Sequence, residues 1–236
     1  MKTFVRNVAV VAMLVLLLAR CSESADPGSM IREAREFKVT GFDRITLGDG
    51  FDIKVEQGTT ALVWVDGDSR NLDDLKVYVR DSTLFATYTK PANRRYNTTF
   101  TIVLPELHGI DFSGGTRSTV KGFESTGVLN IGLSGGAVCD VEAGYRSLNI
   151  AMSGASVMTL RGLGDVMDAD LSGASRIQGY DFPVGRAVVR ASGASDAKVT
   201  VSDELMVDAS GASDVRYKGN PVVQARVSGA SSVKRE

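Results

Sequence analysis

Between Ser113 and Ser228 the chain writes one short phrase seven times: Ser-Gly, then Gly or Ala, then a small residue. The serines are Ser113, Ser134, Ser153, Ser172, Ser192, Ser210 and Ser228, so the steps are 21, 19, 19, 20, 18 and 18 residues. Helical repeats need about 33 to 47 residues and propeller blades about 40 or more, so this period excludes both. It fits one coil of a β-solenoid, at about 20 residues per coil.

Aligned on the serines, the repeat separates inward from outward positions. Three residues before each serine stand Ile110, Ile131, Ile150, Ala169, Val189, Val207 and Ala225, and immediately before stand Phe112, Leu133, Met152, Leu171, Ala191, Ala209 and Val227. Five before, in the last six repeats, are Leu129, Leu148, Met167, Ala187, Leu205 and Val223. All are apolar. Between them, two before the serine, lie Asp111, Gly132, Ala151, Asp170, Arg190, Asp208 and Arg226, the mostly polar half of a period-2 strand. Alternation resumes after the phrase, with Ser118, Cys139, Met158, Ile177, Ala197, Val215 and Val233 facing in, and Thr119, Asp140, Thr159, Gln178, Lys198, Arg216 and Lys234 facing out. Strands therefore flank every Ser-Gly.

The glycine after each serine marks a bend, or a place where stacked backbones leave no room for a side chain. Coils stacked about 4.8 Å apart bury the apolar columns in one core, and seven of them make a prism roughly 30 Å tall. The outer segments, such as 121–127 and 161–165, differ in length, and both two and three faces per coil remain open. From Phe37 to Pro105 the chain is β-rich without the phrase. Residues 76–79 and 83–88 form an expected hairpin around Arg80-Asp81-Ser82, and 69–74 fit one helical turn. This segment reads as the end cap and first coils of the solenoid, with a separate domain as the alternative.

At the N-terminus, Lys2 and Arg6 precede an apolar run from Val8 to Ala19, about 12 residues against the roughly 20 that span a bilayer. It reads as a secretion signal. The run ends Leu-Ala-Arg-Cys, which resembles the bacterial lipoprotein signal whose cysteine, here Cys21, is acylated and becomes the mature first residue. Arg20 departs from that pattern, since a small residue is expected there, and cleavage after Ser24 is the alternative. Removal of 1–20 leaves 24 basic and 28 acidic residues, with no basic footprint for nucleic acid. The expected organisation is a signal peptide over 1–20, a lipidated tether over 21–36, the cap and first coils over 37–109, and the Ser-Gly β-helix over 110–236.

A strand pair near VEQG at 55–58, the DSRNLDDL stretch at 68–75, a hairpin, VLPELHGIDFSGG at 103–115 and the serial SGAS turns together resemble the bacterial domain family called the autotransporter adhesin head, or GIN, domain. The resemblance covers about 42–231, with PANRRYNTT at 91–99 as its main insertion. It implies a right-handed parallel β-helix in a cell-envelope protein and brings no catalytic residues with it.

Enzymatic readings weaken one by one. Gly132-Leu133-Ser134-Gly135-Gly136 matches the nucleophile-elbow pattern of hydrolases, but it is one copy of a repeat, and the single histidine, His108, precedes it. Asp196 and Asp214, equivalent in consecutive repeats, would be neighbours, as a retaining glycosidase pair requires, yet Lys198 and Arg216 stand beside them to neutralise them. Asp66-Gly67-Asp68 begins like a calcium loop, but Arg70, Asn71 and Val77 occupy places where a ligand, the turn glycine and the closing glutamate belong. Cys139 falls in an inward column and reads as a small core residue.

The sequence thus leads to a non-enzymatic envelope lipoprotein without catalytic, metal or cofactor sites, surface-exposed or facing the periplasm. Its expected role is adhesion by binding a glycan or a protein, with a structural scaffold as the alternative and a polysaccharide-acting enzyme behind both. Its expected partners are the membrane through acylated Cys21, an envelope or extracellular ligand, and a second copy of the chain through the open C-terminal coil.

Overall fold

A computed structural model of the protein describes residues 28–92 and 94–236. From Ile31 to Glu236 the chain forms one unit built almost wholly of strands. Strands β8 (Gly109–Phe112), β9 (Arg117–Leu133), β10 (Val138–Met152), β11 (Val157–Leu171), β12 (Arg176–Ala191), β13 (Asp196–Ala209), β14 (Asp214–Lys218), β15 (Val222–Val227) and β16 (Ser232–Arg235) wind into a β-solenoid of about 7 turns, about 19 residues each. Each coil hydrogen-bonds in parallel to the next, and the aligned columns meet as the repeat predicts: Ile131 opposite Ile150, Ile150 opposite Ala169, Cys139 opposite Met158.

The repeated phrase makes the corner. Serine N–H groups donate to the carbonyl of the residue before the preceding coil's serine, as from Ser172 to Met152 at 2.9 Å. Two residues on, Ala174 N–H reaches Gly154 O at 2.7 Å, so the ladder runs on through the turn. At the end of the phrase the hydroxyls of Ser156, Ser175, Ser195 and Ser213 turn back to the carbonyls of Ser153, Ser172, Ser192 and Ser210 at 2.6 to 2.9 Å. Gly173, like its counterpart in every repeat, has a left-handed backbone, with φ at 71°. A Cβ there would lie 2.6 Å from Gly154 O, so both conformation and stacking demand glycine.

Inward columns are sealed from water. Leu129, Leu148, Met167 and Leu205 are buried, as are Ile131, Ile150, Ala169 and Val189, and each fully buried aliphatic side chain contributes about 1.5–3 kcal/mol. Aromatic bulk gathers at the N-terminal end, where Phe51 packs on Phe100 at 4.8 Å and on Tyr88 at 5.2 Å between ring centres.

That end is continuous with the coils and is not a separate domain. Strand β2 (Arg44–Leu47) pairs in parallel with β8, and β3 (Asp52–Gln57) with β9, so β2, a Gly48-Asp49-Gly50 corner and β3 form a coil without the serine phrase. Strands β6 (Thr83–Tyr88) and β7 (Thr99–Leu104) add a further layer on β2 and β3. The described residues of the insertion, 91–92 and 94–99, therefore lie where β6 gives way to β7, at a corner of this outer layer. Antiparallel strands close the end: β4 (Leu62–Asp68) on β7, β1 (Arg32–Phe37) on β4, and β5 (Leu75–Arg80) on β6. The expected hairpin is β5–β6, turning at Asp81 and Ser82, both at positive φ, and the expected helical turn is α1 (Ser69–Asp73).

One boundary moves. Residues 32–36, assigned to the tether, form most of β1, because Arg32 through Phe37 register against Asp68 through Val63 and so add the outermost strand of the cap. Their charged composition hid a strand that needs only one half-covered face. The signal segment 1–20 and Cys21 lie outside the described residues.

Candidate functional site

The repeated serines are structural. Ser134 gives its N–H to Phe112 O at 3.0 Å and its carbonyl accepts from Ala137 at 3.4 Å, so it is one step of the corner ladder. His108 Nδ1 lies 3.2 Å from Asp43 Oδ2, and its carbonyl accepts from both the backbone and the side chain of Asn130 at 3.1 Å. It marks the start of a strand.

Asp196 and Asp214 do sit opposite each other in register. Arg216 bonds Asp214 directly and its guanidinium lies 3.9 Å from Asp196, while the Ser232 hydroxyl also donates to Asp214. The Ser232 and Arg216 hydrogen bonds hold the Asp214 carboxyl below the usual carboxylate range. A glycosidase acid needs the opposite shift. Asp68 is likewise committed to structure: it caps α1, and its oxygens accept from the Arg70 side chain and from the Ile31 and Arg70 amides.

Cys139 is fully buried, and that burial pushes its thiol up to about 12. In the protein without residues 1–21, Ellman's reagent at pH 8 should therefore leave it unmodified in the native state and react promptly in denaturant; fast native labelling would contradict the packed coil. Tyr145, in the outer bend of β10, donates its buried hydroxyl to Leu107 O at 2.7 Å, tying the coil to the segment before β8. Burial pushes its phenol up. Tyr145→Phe should cost about 1–2 kcal/mol in urea unfolding, because Leu107 O loses a buried donor; an unchanged midpoint would show that the bond contributes nothing.

On one side of the corners a broad exposed face holds a depression. The face is formed by β6, β2, β8 and the second halves of β9 to β13, and it carries the outward positions two and four residues before each corner. Two rows cross the coils. The first runs Phe85, Thr46, Asp111, Gly132, Ala151, Asp170, Arg190, Asp208; the second runs Thr83, Arg44, Gly109, Asn130, Asn149, Asp168. Where Gly109, Gly132 and Ala151 fall, the surface sinks into a shallow trough of about 660 Å³. Asn149 donates to Asn130 at 3.0 Å, and Arg190 bridges Asp168 and Asp170 at 2.6 and 3.2 Å. The repeat alignment displayed these residues as a polar column, but the trough was not legible in it, because it depends on small residues that neighbouring strands bring together, Gly109 and Ala151 being 42 residues apart in the chain.

These features define a class: a parallel β-solenoid with a capped N-terminal end and one open, polar, troughed face. The chain belongs to the family described as "Putative auto-transporter adhesin, head GIN domain", which it matches over residues 41–221. Crystal structures share the fold at low sequence identity. A "putative adhesin" from Bacteroides fragilis superposes with a TM-score of 0.81 at 22% identity, over 88% of this chain and 98% of its own. A "putative adhesin" from Parabacteroides distasonis gives 0.74 at 18%, over 89% and 98%. A "putative lipid binding protein" from the same organism gives 0.71 at 17%, over 87% and 96%. No functionally curated protein is similar to this chain in sequence. None of these family and structural neighbours is described as an enzyme, and no helix among the described residues is long and apolar enough to cross a membrane.

Proposed function

We propose that the protein is a non-enzymatic lipoprotein of the cell envelope, anchored through acylated Cys21, whose solenoid works as an adhesin that binds a glycan or a protein. The observation that carries this reading is the exposed sheet face. A stack of hydrogen-bonded coils holds a polar trough at fixed spacing, so a ligand meets pre-organised groups and little ordering cost. Repetition of similar groups from coil to coil favours weak contacts summed along an extended ligand.

Protease shaving of intact cells, beside a Cys21→Ala variant and a lysed sample, tests the placement. Digestion on intact cells, with release of the variant into the medium, is the expected result. Protection until lysis would turn the reading to a periplasmic one and remove external adhesion.

A scaffold role is the second reading, and one observation favours it. In the last coil of this chain the inward positions are uncovered, with Val223 and Val227 36% and 48% exposed and Val222 beside them 68% exposed. Strands of an envelope partner or of a second copy would cover them by edge pairing. Concentration-dependent light scattering, with Val227→Lys as the interrupted form, separates that reading from a monomeric head.

A further inference from the structure

We infer that the trough around Gly132 and Ala151 is an oligosaccharide-binding site, and that it takes neutral glycans lying across the coils. This rests on the adhesin reading and names its ligand class and its place.

The chemistry of the walls is that of hydroxyl recognition. Arg44, Asp111, Asn130, Asn149, Asp168 and Asp170 line the trough. Carboxylates accept from hydroxyls, and carboxamides both donate and accept, so neighbouring sugar hydroxyls are served by planar groups fixed one strand spacing apart, about 4.8 Å. The Asp111 carboxylate makes no hydrogen bond or ion pair with another described residue, although it stands beside the glycine floor. Asn149 donates one amide N–H to Asn130 Oδ1, and its own side-chain oxygen accepts from no described residue. Gly132 and Ala151 form the floor between these walls, and no exposed large apolar side chain stands among the lining residues. Protein interfaces have cores enriched in aromatic and apolar residues and depleted in charge, so this lining favours a glycan over a protein.

Charge selects the kind of glycan. Three carboxylates, Asp111, Asp168 and Asp170, face the trough, and Arg190 is already paired with two of them, which leaves Arg44 as the cation at its edge. Sialylated or sulfated sugars would meet like charge.

The trough also continues into an aromatic end. Along the same row, Thr46 leads to Phe85, which stacks on Tyr78 with ring centres 5.4 Å apart and planes 17° from parallel. Both rings are partly exposed, and Lys76 and Arg80 rest over them at 5.1 and 5.2 Å. Long flexible side chains of this kind are displaced by a sugar ring that stacks on the same apolar faces. From Phe85 to Asp170 is five strand steps, about 24 Å, room for an oligomer and not only for one sugar.

The test uses the protein without its signal segment on an array of immobilised neutral, sialylated and sulfated oligosaccharides, followed by titration of the strongest binder. Ala151→Trp fills the trough at an exposed strand position that tolerates an aromatic side chain, and Asn149→Ala removes one wall group. Thr159→Trp, outward on the opposite side of the corner, is the control. The expected result is binding of neutral sugars, weakened at least tenfold by Ala151→Trp and several-fold by Asn149→Ala, and unchanged by Thr159→Trp. Equal weakening by both tryptophans, or none by Ala151→Trp, overturns the site. Binding confined to acidic sugars overturns the ligand class. If no glycan binds while intact cells still adhere to a surface through this protein, the glycan inference fails and the adhesin reading stands. If the cells do not adhere either, both fail.

Discussion

Gly173→Ala is expected to lower the stability of the solenoid by about 3 kcal/mol or more, whereas Gly136→Ala, at the next position of the corner phrase two coils earlier, should stay within about 0.5 kcal/mol of the parent. Two costs add at Gly173. A left-handed backbone disfavours any residue with a Cβ by about 1–2 kcal/mol. The new methyl would also lie 2.6 Å from Gly154 O and 3.1 Å from Gly154 N. Both are backbone atoms of the coil below, held by Ala174 N–H on Gly154 O at 2.7 Å, so relief would loosen the ladder itself. Overpacking of this kind typically costs 1–3 kcal/mol, in round terms about 2. At Gly136 the nearest atom to an added Cβ is Gly114 O at 3.6 Å, and five later repeats already carry alanine there: Ala155, Ala174, Ala194, Ala212 and Ala230. Urea unfolding followed by circular dichroism compares the two. Equal midpoints would mean that the corner yields, and that the repeated glycine has another cause.

The second large effect is expected at Asp68. Its carboxylate is almost wholly buried and joins three pieces of the cap: it accepts from the Ile31 amide at 3.1 Å, from the Arg70 amide at 3.0 Å as the cap of α1, and from the Arg70 guanidinium at 2.6 and 2.7 Å. Asp68→Ala should cost about 3 kcal/mol, since it removes a helix cap worth about 1 and takes the acceptor from the Ile31 amide and from the Arg70 ion pair at a buried position. Amide exchange should rise first in β1, whose first residue pairs with Asp68. The Arg70 side chain, with the two amides, holds the Asp68 carboxyl well below the usual carboxylate range. A depressed value in the folded state means that the stabilisation is complete above the unfolded carboxylate pKa of about 4 and fades as pH falls below it. The parent should therefore lose stability between about pH 4 and pH 2, and Asp68→Asn should be weaker at neutral pH and lose less on acidification. Parallel acid limbs for the two proteins would remove Asp68 from the account.

Together the two substitutions separate the architecture into its parts. The coils depend on a rule repeated at each corner, so an error at one repeat is felt by the coil it stacks upon. The cap depends on unique contacts. Arg94 illustrates this: its guanidinium lies 3.5 Å over the Tyr88 ring, bonds Asn71 at 2.9 Å and pairs with Asp74 at 3.3 Å, fastening the 91–99 insertion to α1.

The period of the Ser-Gly phrase was sufficient to specify the solenoid, because a side chain repeated every 19 residues or so can only stack on itself, and stacked apolar columns such as Ile131, Ile150 and Ala169 bury one another. The corner glycines and the inward cysteine were equally legible, as was the meeting of Asp196 and Asp214. Tertiary structure alone decided the rest. Strand β1 lies in a charged stretch that becomes a strand only because β4 offers an edge. The layer of β6 and β7 lies beneath β2 and β3, although it follows them in sequence, an order no local pattern encodes. The trough likewise exists only where Gly132 and Ala151 come side by side and Gly109 falls in the next row, since a surface depression is a relation between strands and a periodic sequence records only what lies within each one.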